Sequence, residues 1–94
     1  MASDVSLLVI DELSGAVLAS RWIGMGGTIE LARRVLDRDP DHREGGFETW
    51  AVSAHEVARI AAGRYAGGLD QAELAALVER LDRRACLWIL EHDF

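Results

Sequence analysis

The feature that most limits what this chain can fold into is a change of hydrophobic period at Ser53. The residues before it, Phe47-Glu48-Thr49-Trp50-Ala51-Val52, are aromatic and β-branched types that suit a pleated, half-buried surface. At Ser53 the pattern becomes helical. Ser53 and Glu56 stand at the S-x-x-E spacing of a capping box, in which each side chain satisfies an orphan amide at the helix start. Val57, Ile60, Ala61 and Tyr65 then recur at helical spacing to Ala66, and Gly67-Gly68 supplies a stop. A strand running straight into a capped helix implies a mixed α+β chain.

Upstream, residues 5–23 hold two apolar runs around the turn-rich Asp11-Glu12-Leu13-Ser14-Gly15. Gly15 can take the left-handed conformation that short hairpin loops need, so the segment predicts a β-hairpin. Val5, Leu7 and Val9 line one face of its first strand and Leu8 and Ile10 the other, which suits a central position. A helix also fits Val5, Leu8, Val9, Leu13, Ala16 and Val17, but it would carry Ser14-Gly15 in its middle.

Gly24-Met25-Gly26-Gly27 reads as a hinge, with Thr28 capping a helix from Ile29 to Asp37 whose apolar stripe is Ile29, Ala32, Val35 and Leu36. Pro40 ends it. Asp39–Gly46 reads as a solvated, mobile loop. Asp70 and Glu73 repeat the capping arrangement, and Leu74, Leu77, Val78, Leu81, Ala85, Trp88 and Ile89 predict one long C-terminal helix. The continuous apolar run Cys86–Leu90 also fits a strand from Ala85 to His92. The expected architecture is a small two-layer α+β domain spanning residues 1–94. It has an N-terminal β-hairpin plus one central strand packed against three helices, or a further strand if residues 85–92 are extended.

Composition narrows the functional classes. Asp and Glu outnumber basic residues by 16 to 10, giving a net charge of −6, and every basic residue is Arg. Nucleic-acid and anionic-membrane binders carry the opposite balance, because affinity comes from neutralising phosphates. An acidic chain suits a basic protein partner. The single Cys86 cannot form an internal disulfide. There is no basic N-terminal region ahead of an apolar stretch and no apolar run near the ~20 residues that cross a bilayer, so the expected localisation is cytoplasmic.

Candidate chemistry is sparse. Gly24–Gly27 before a helix resembles an anion cradle, yet Ile29 stands where a dinucleotide fingerprint has its last glycine, and the Lys of a P-loop is missing. His55-Glu56 opens like a helical zinc motif, but its second His position is Arg59. Asp39, Asp41, His42 and Glu44, and separately Glu91, His92 and Asp93, hold carboxylates beside His, as charged loops and chain ends usually do. Cys86 reads as core filler. Two capped helices joined by glycines outline a helix-turn-helix, but Asp70, Gln71, Glu73 and Glu79 would meet phosphates head-on.

No catalytic residue, metal or cofactor is therefore expected. The leading expectation is a small acidic protein-interaction module: an inhibitor, an immunity- or antitoxin-like protein, or an accessory subunit. It would bind a protein partner, pair as a homodimer, or both. Trp22, Leu87, Trp88, Leu90 and Phe94 are the candidate partner-binding residues, since large apolar side chains, Trp above all, dominate binding hot spots. The alternative is a small-molecule domain or minor enzyme with its pocket at the Gly24–Gly27 hinge, and less favoured again is helix-turn-helix DNA binding.

Overall fold

The C-terminal segment decides the architecture. In the computed structural model, which describes residues 3–63, 68–81 and 85–94, Cys86–Asp93 is a strand at the centre of the sheet. The elements run β1 (Asp4–Asp11), β2 (Val17–Met25), α1 (Gly27–Leu36), β3 (His42–Glu44), β4 (Phe47–Ala51), α2 (Ala54–Ala61), α3 (Gln71–Leu81) and β5 (Cys86–Asp93). The strands form one antiparallel sheet in the order β2-β1-β5-β4-β3. This is an α+β fold, and it corrects two expectations. The long C-terminal helix gives way to α3 and β5, the extended alternative for residues 85–92, and a sheet expected to hold three strands, or four with that segment, holds five.

The hairpin forms as its turn chemistry dictates. Asp11 Oδ1 accepts from the amides of Leu13 at 2.9 Å and Ser14 at 3.0 Å, and Gly15 takes a φ of 75°. The strand-to-helix junction also forms at Ser53. The Glu56 amide donates to Ser53 Oγ at 3.1 Å, and the Ser53 amide to Glu56 Oε1 at 3.0 Å. Helix α2 closes at Ala61, ahead of the expected end at Ala66; its expected stop at Gly67 lies outside the described residues.

The start of α1 differs from the expected Thr28 cap. Gly26 holds the cap position with a φ of 62°, and Thr28 sits inside the helix, buried, its hydroxyl donating to the Met25 carbonyl at 3.3 Å. The expected loop at Asp39–Gly46 contains β3, which pairs His42–Glu44 with Phe47–Thr49.

Helices pack on one face of this sheet. Val5, Leu7 and Val9 of β1 and Leu90 of β5 are fully buried beneath Ala32 and Leu36 of α1, Val57 and Ile60 of α2, and Leu74, Leu77 and Leu81 of α3. Trp50 fills the region under α1. It is fully buried, its indole N–H donates to the Arg38 carbonyl at 3.1 Å, and the Arg33 guanidinium lies 5.6 Å from its ring centre. Truncating so large a buried ring costs about 3–5 kcal/mol.

Candidate functional site: the open face of the sheet

Strand side chains alternate between faces, so the register assigns each to the helix side or the opposite side. Leu7, opposite Leu90, lies on the helix side, and Leu90 lies opposite Trp50. The neighbouring rows point the other way. Leu8 lies opposite Ile89 and Ser20, Ile10 opposite Leu87 and Val17, and Ser6 opposite Glu91 and Trp22. Thr49 and Ala51 of β4 continue this face beside Glu91 and Ile89. None of these residues belongs to the helix-side core.

The open face has two unlike ends. At one end Leu8, Ile10, Val17, Leu87 and Ile89 form an apolar patch, with Val17 59% and Leu87 40% exposed. At the other end Asp4 lies opposite Asp93, with Glu91 one row in and Glu44 opposite Phe47. Trp22, 44% exposed, stands between the ends on edge strand β2, its indole N–H donating to Asp4 Oδ1 at 3.1 Å. Gly68 holds it there. The Gly68 amide donates to the Ile23 carbonyl at 2.7 Å, and a Cβ on Gly68 would come within 2.1 Å of the Trp22 carbonyl oxygen. This contact also covers part of the β2 edge, one of the ways sheets avoid unwanted pairing.

The predicted binding residues divide between the two faces. Trp22 and Leu87 stand on the open face. Leu90 is fully buried among the helices and Trp88 is half-buried against the same core. Phe94 continues past β5 on the helix side, edge-on to His92 with ring centres 4.8 Å apart. Leu8, Ile10, Val17 and Ile89, unmarked in the sequence reading, supply most of the apolar patch. Their signal was the two-sided apolar character of both central strands.

The helix side carries a buried polar cluster that no spacing in the sequence marks. Glu48 and His92 are neighbours across β4 and β5, and both are buried. Glu48 Oε1 meets His92 Nδ1 at 3.0 Å and also accepts from Arg33 Nη2, while Oε2 accepts from Arg43 Nε at 3.2 Å. Burial alone would raise the Glu48 carboxyl. The hydrogen bond from His92, the charge of Arg33 and the hydrogen bond from Arg43 outweigh it and hold the group below the usual carboxylate range. With Glu48 ionised, Nδ1 is the donor, and in the neutral ring Nε2 accepts the Ser3 hydroxyl.

The order hydroxyl–imidazole–carboxylate resembles a nucleophile relay. Here, however, the carboxylate is already tied to two guanidiniums as well as to the imidazole. The cluster's chemistry is that of a lock, which ties the start of β1 to β5, β4 and α1. The Glu56 carboxyl is also held below its ordinary range. Its hydrogen bond from Arg38 and those from Ser53 lower it against a burial effect that works to raise it.

Two clefts lie elsewhere. One of about 490 Å³ runs between α2 and α3, lined by Ala54, His55, Ala58, Leu74, Val78 and Glu79 among others. One of about 270 Å³ lies between β2 and α3, at Arg21, Glu73, Ala76, Leu77 and Arg80. Neither is lined by the Gly24–Gly27 hinge. Among the described residues no three His, Cys, Asp or Glu side chains converge as metal ligands, and no helix is long and apolar enough to cross a membrane.

No protein-family model, curated protein or solved structure matches this chain. The geometry defines an α+β domain with helices on one face of an antiparallel sheet and no described helix on the other.

Proposed function

We propose that this protein is a small interaction module that binds another protein through the open face of its sheet. The observation that carries this reading is the face itself. Two central strands present Leu8, Ile10, Leu87 and Ile89 away from the core, and no described helix lies across them. The largest contiguous apolar patch on a small protein is often its interaction surface. Trp22 at the margin supplies the aromatic anchor that hot spots favour. The acidic balance suits a basic partner.

The test compares wild type with Ile10→Lys/Leu87→Lys. Light scattering on the pure protein detects self-association, and affinity capture with mass spectrometry identifies any partner. The expected result is an association, with itself or an identified protein, that the double variant loses while circular dichroism stays unchanged. An association that survives both lysines would overturn the reading. A second reading, a small-molecule site, rests on the 490 Å³ cleft between α2 and α3; it predicts a ligand-dependent melting shift that Ala58→Trp removes.

A further inference from the structure

Building on the open face as a protein-binding surface, we infer that its occupant is a different protein, one presenting an apolar strip that ends in a cluster of arginine or lysine. Two observations point there: where the charges lie, and how much area each occupant can bury.

Charge comes first. On the open face the carboxylates Asp4, Glu44, Glu91 and Asp93 gather at one end. Every described arginine lies elsewhere. Arg21 and Arg43 pair with helix-side residues Leu7 and Glu48, Arg33 and Arg34 are on α1, Arg38 follows α1, Arg59 is on α2 and Arg80 on α3. His42, 3.1 Å from Glu44, is the basic side chain the described part of this face offers. The surface is apolar at one end and carries its carboxylates, beside Met25 and Phe47, at the other, so the complement is apolar with its cations gathered at one end.

Area excludes the simplest alternative, a second copy. Strands of 8, 9, 8, 5 and 3 residues, at about 3.3 Å per residue and about 4.8 Å apart, give an open face of roughly 500 Å². Stable interfaces bury about 800 Å² per partner, so an occupant has to use the whole face and its margins. Two copies stacked with aligned strands are related by a twofold axis between the sheets. An axis along the strands sets the acidic end on the acidic end. An axis across the strands sets each acidic end on the other copy's apolar patch and strips water from carboxylates that it leaves without a cation. Sliding the copies until only apolar ends overlap leaves roughly 250 Å² each, well below a stable interface. A cationic partner uses the whole face without that conflict, and its charges steer the encounter.

The test uses two fluorescein-labelled strand peptides of alternating leucine and threonine, one ending in three arginines and the other in three glutamates. Fluorescence anisotropy follows each against wild type, Glu91→Arg/Asp93→Arg and Ile10→Lys/Leu87→Lys, with light scattering on the wild type alone. The expected results are a monomer near 10.3 kDa, preference for the arginine peptide, and binding about tenfold weaker in the Glu91/Asp93 variant, with the preference fading at high salt. Equal binding of the two peptides, lost in the Ile10/Leu87 variant, would overturn the cationic partner and leave the face standing. A dimer broken by Ile10→Lys/Leu87→Lys would show that the occupant is a second copy. Indifference of every association to Ile10 and Leu87 would overturn the underlying reading as well.

Discussion

Replacing Glu48 by Gln separates the charge of the buried cluster from its shape. The two guanidiniums that Glu48 holds are half in water, with side chains 47% and 63% exposed for Arg33 and Arg43, while Glu48 is 1% exposed. Freed arginines re-solvate, so each lost ion pair costs about 0–1 kcal/mol. The bond to buried His92 changes from charge-assisted to neutral, which costs about 1 kcal/mol, and the amide oxygen still accepts from Nδ1. The sum is about 2 kcal/mol, and at 4–8 °C per kcal/mol for a domain of this size the melting point drops by roughly 8–16 °C. Urea unfolding of both proteins across pH checks the cause. The folded Glu48 carboxyl lies below its ordinary 4.5, so its contribution is complete above that value and disappears as pH falls through the lower, folded one. The gap between wild type and Glu48→Gln should therefore be full at pH 7 and shrink below about pH 4.5. Glu56 titrates alike in both proteins and cancels. A gap that is absent at pH 7, or that does not change with pH, would refute the assignment of Glu48 as the charged centre of the lock.

Two further predictions follow from geometry already described. Ser53→Ala removes the acceptor for the Glu56 amide and should cost about 1 kcal/mol in chemical denaturation; an unchanged midpoint would contradict the cap. Leu87→Lys should change stability by no more than about 0.5 kcal/mol, because the residue is 40% exposed and a lysine there can reach water, whereas Leu90→Lys should prevent folding, because it buries an unpaired charge. Equal tolerance at the two positions would reverse the assignment of faces.

The parts of the fold that could be read from the chain are those where one local rule acts alone. Val5, Leu7 and Val9 alternate beside an Asp11–Gly15 turn, and the hairpin formed. Ser53 and Glu56 stand at capping spacing, and the box formed. The C-terminal strand is ambiguous in the sequence because both of its faces are apolar. Trp88 and Leu90 turn inward while Leu87 and Ile89 turn outward, so the run satisfies helical and strand periods alike. β3 is three exposed polar residues, His42–Glu44, whose pairing comes from β4 and leaves no hydrophobic trace. Glu48 and His92 are 44 residues apart, and only the register of β4 against β5 joins them. The open face was half visible for the same reason. Trp22 and Leu87 stood out as large apolar residues, but separating them from Trp88 and Leu90 requires knowing which side the helices cover.

Hydroxyl-radical footprinting of the protein, alone and in a complex captured from its native lysate, tests the open face most directly. Alone, Trp22 and Leu87 should be oxidised readily and the buried Trp50 should be spared. In the complex, protection should appear at Trp22, Val17, Leu87 and Ile89 and leave His55 and Val78 of the α2–α3 cleft unchanged. Protection confined to that cleft, with Leu87 and Ile89 still oxidised, would contradict the account.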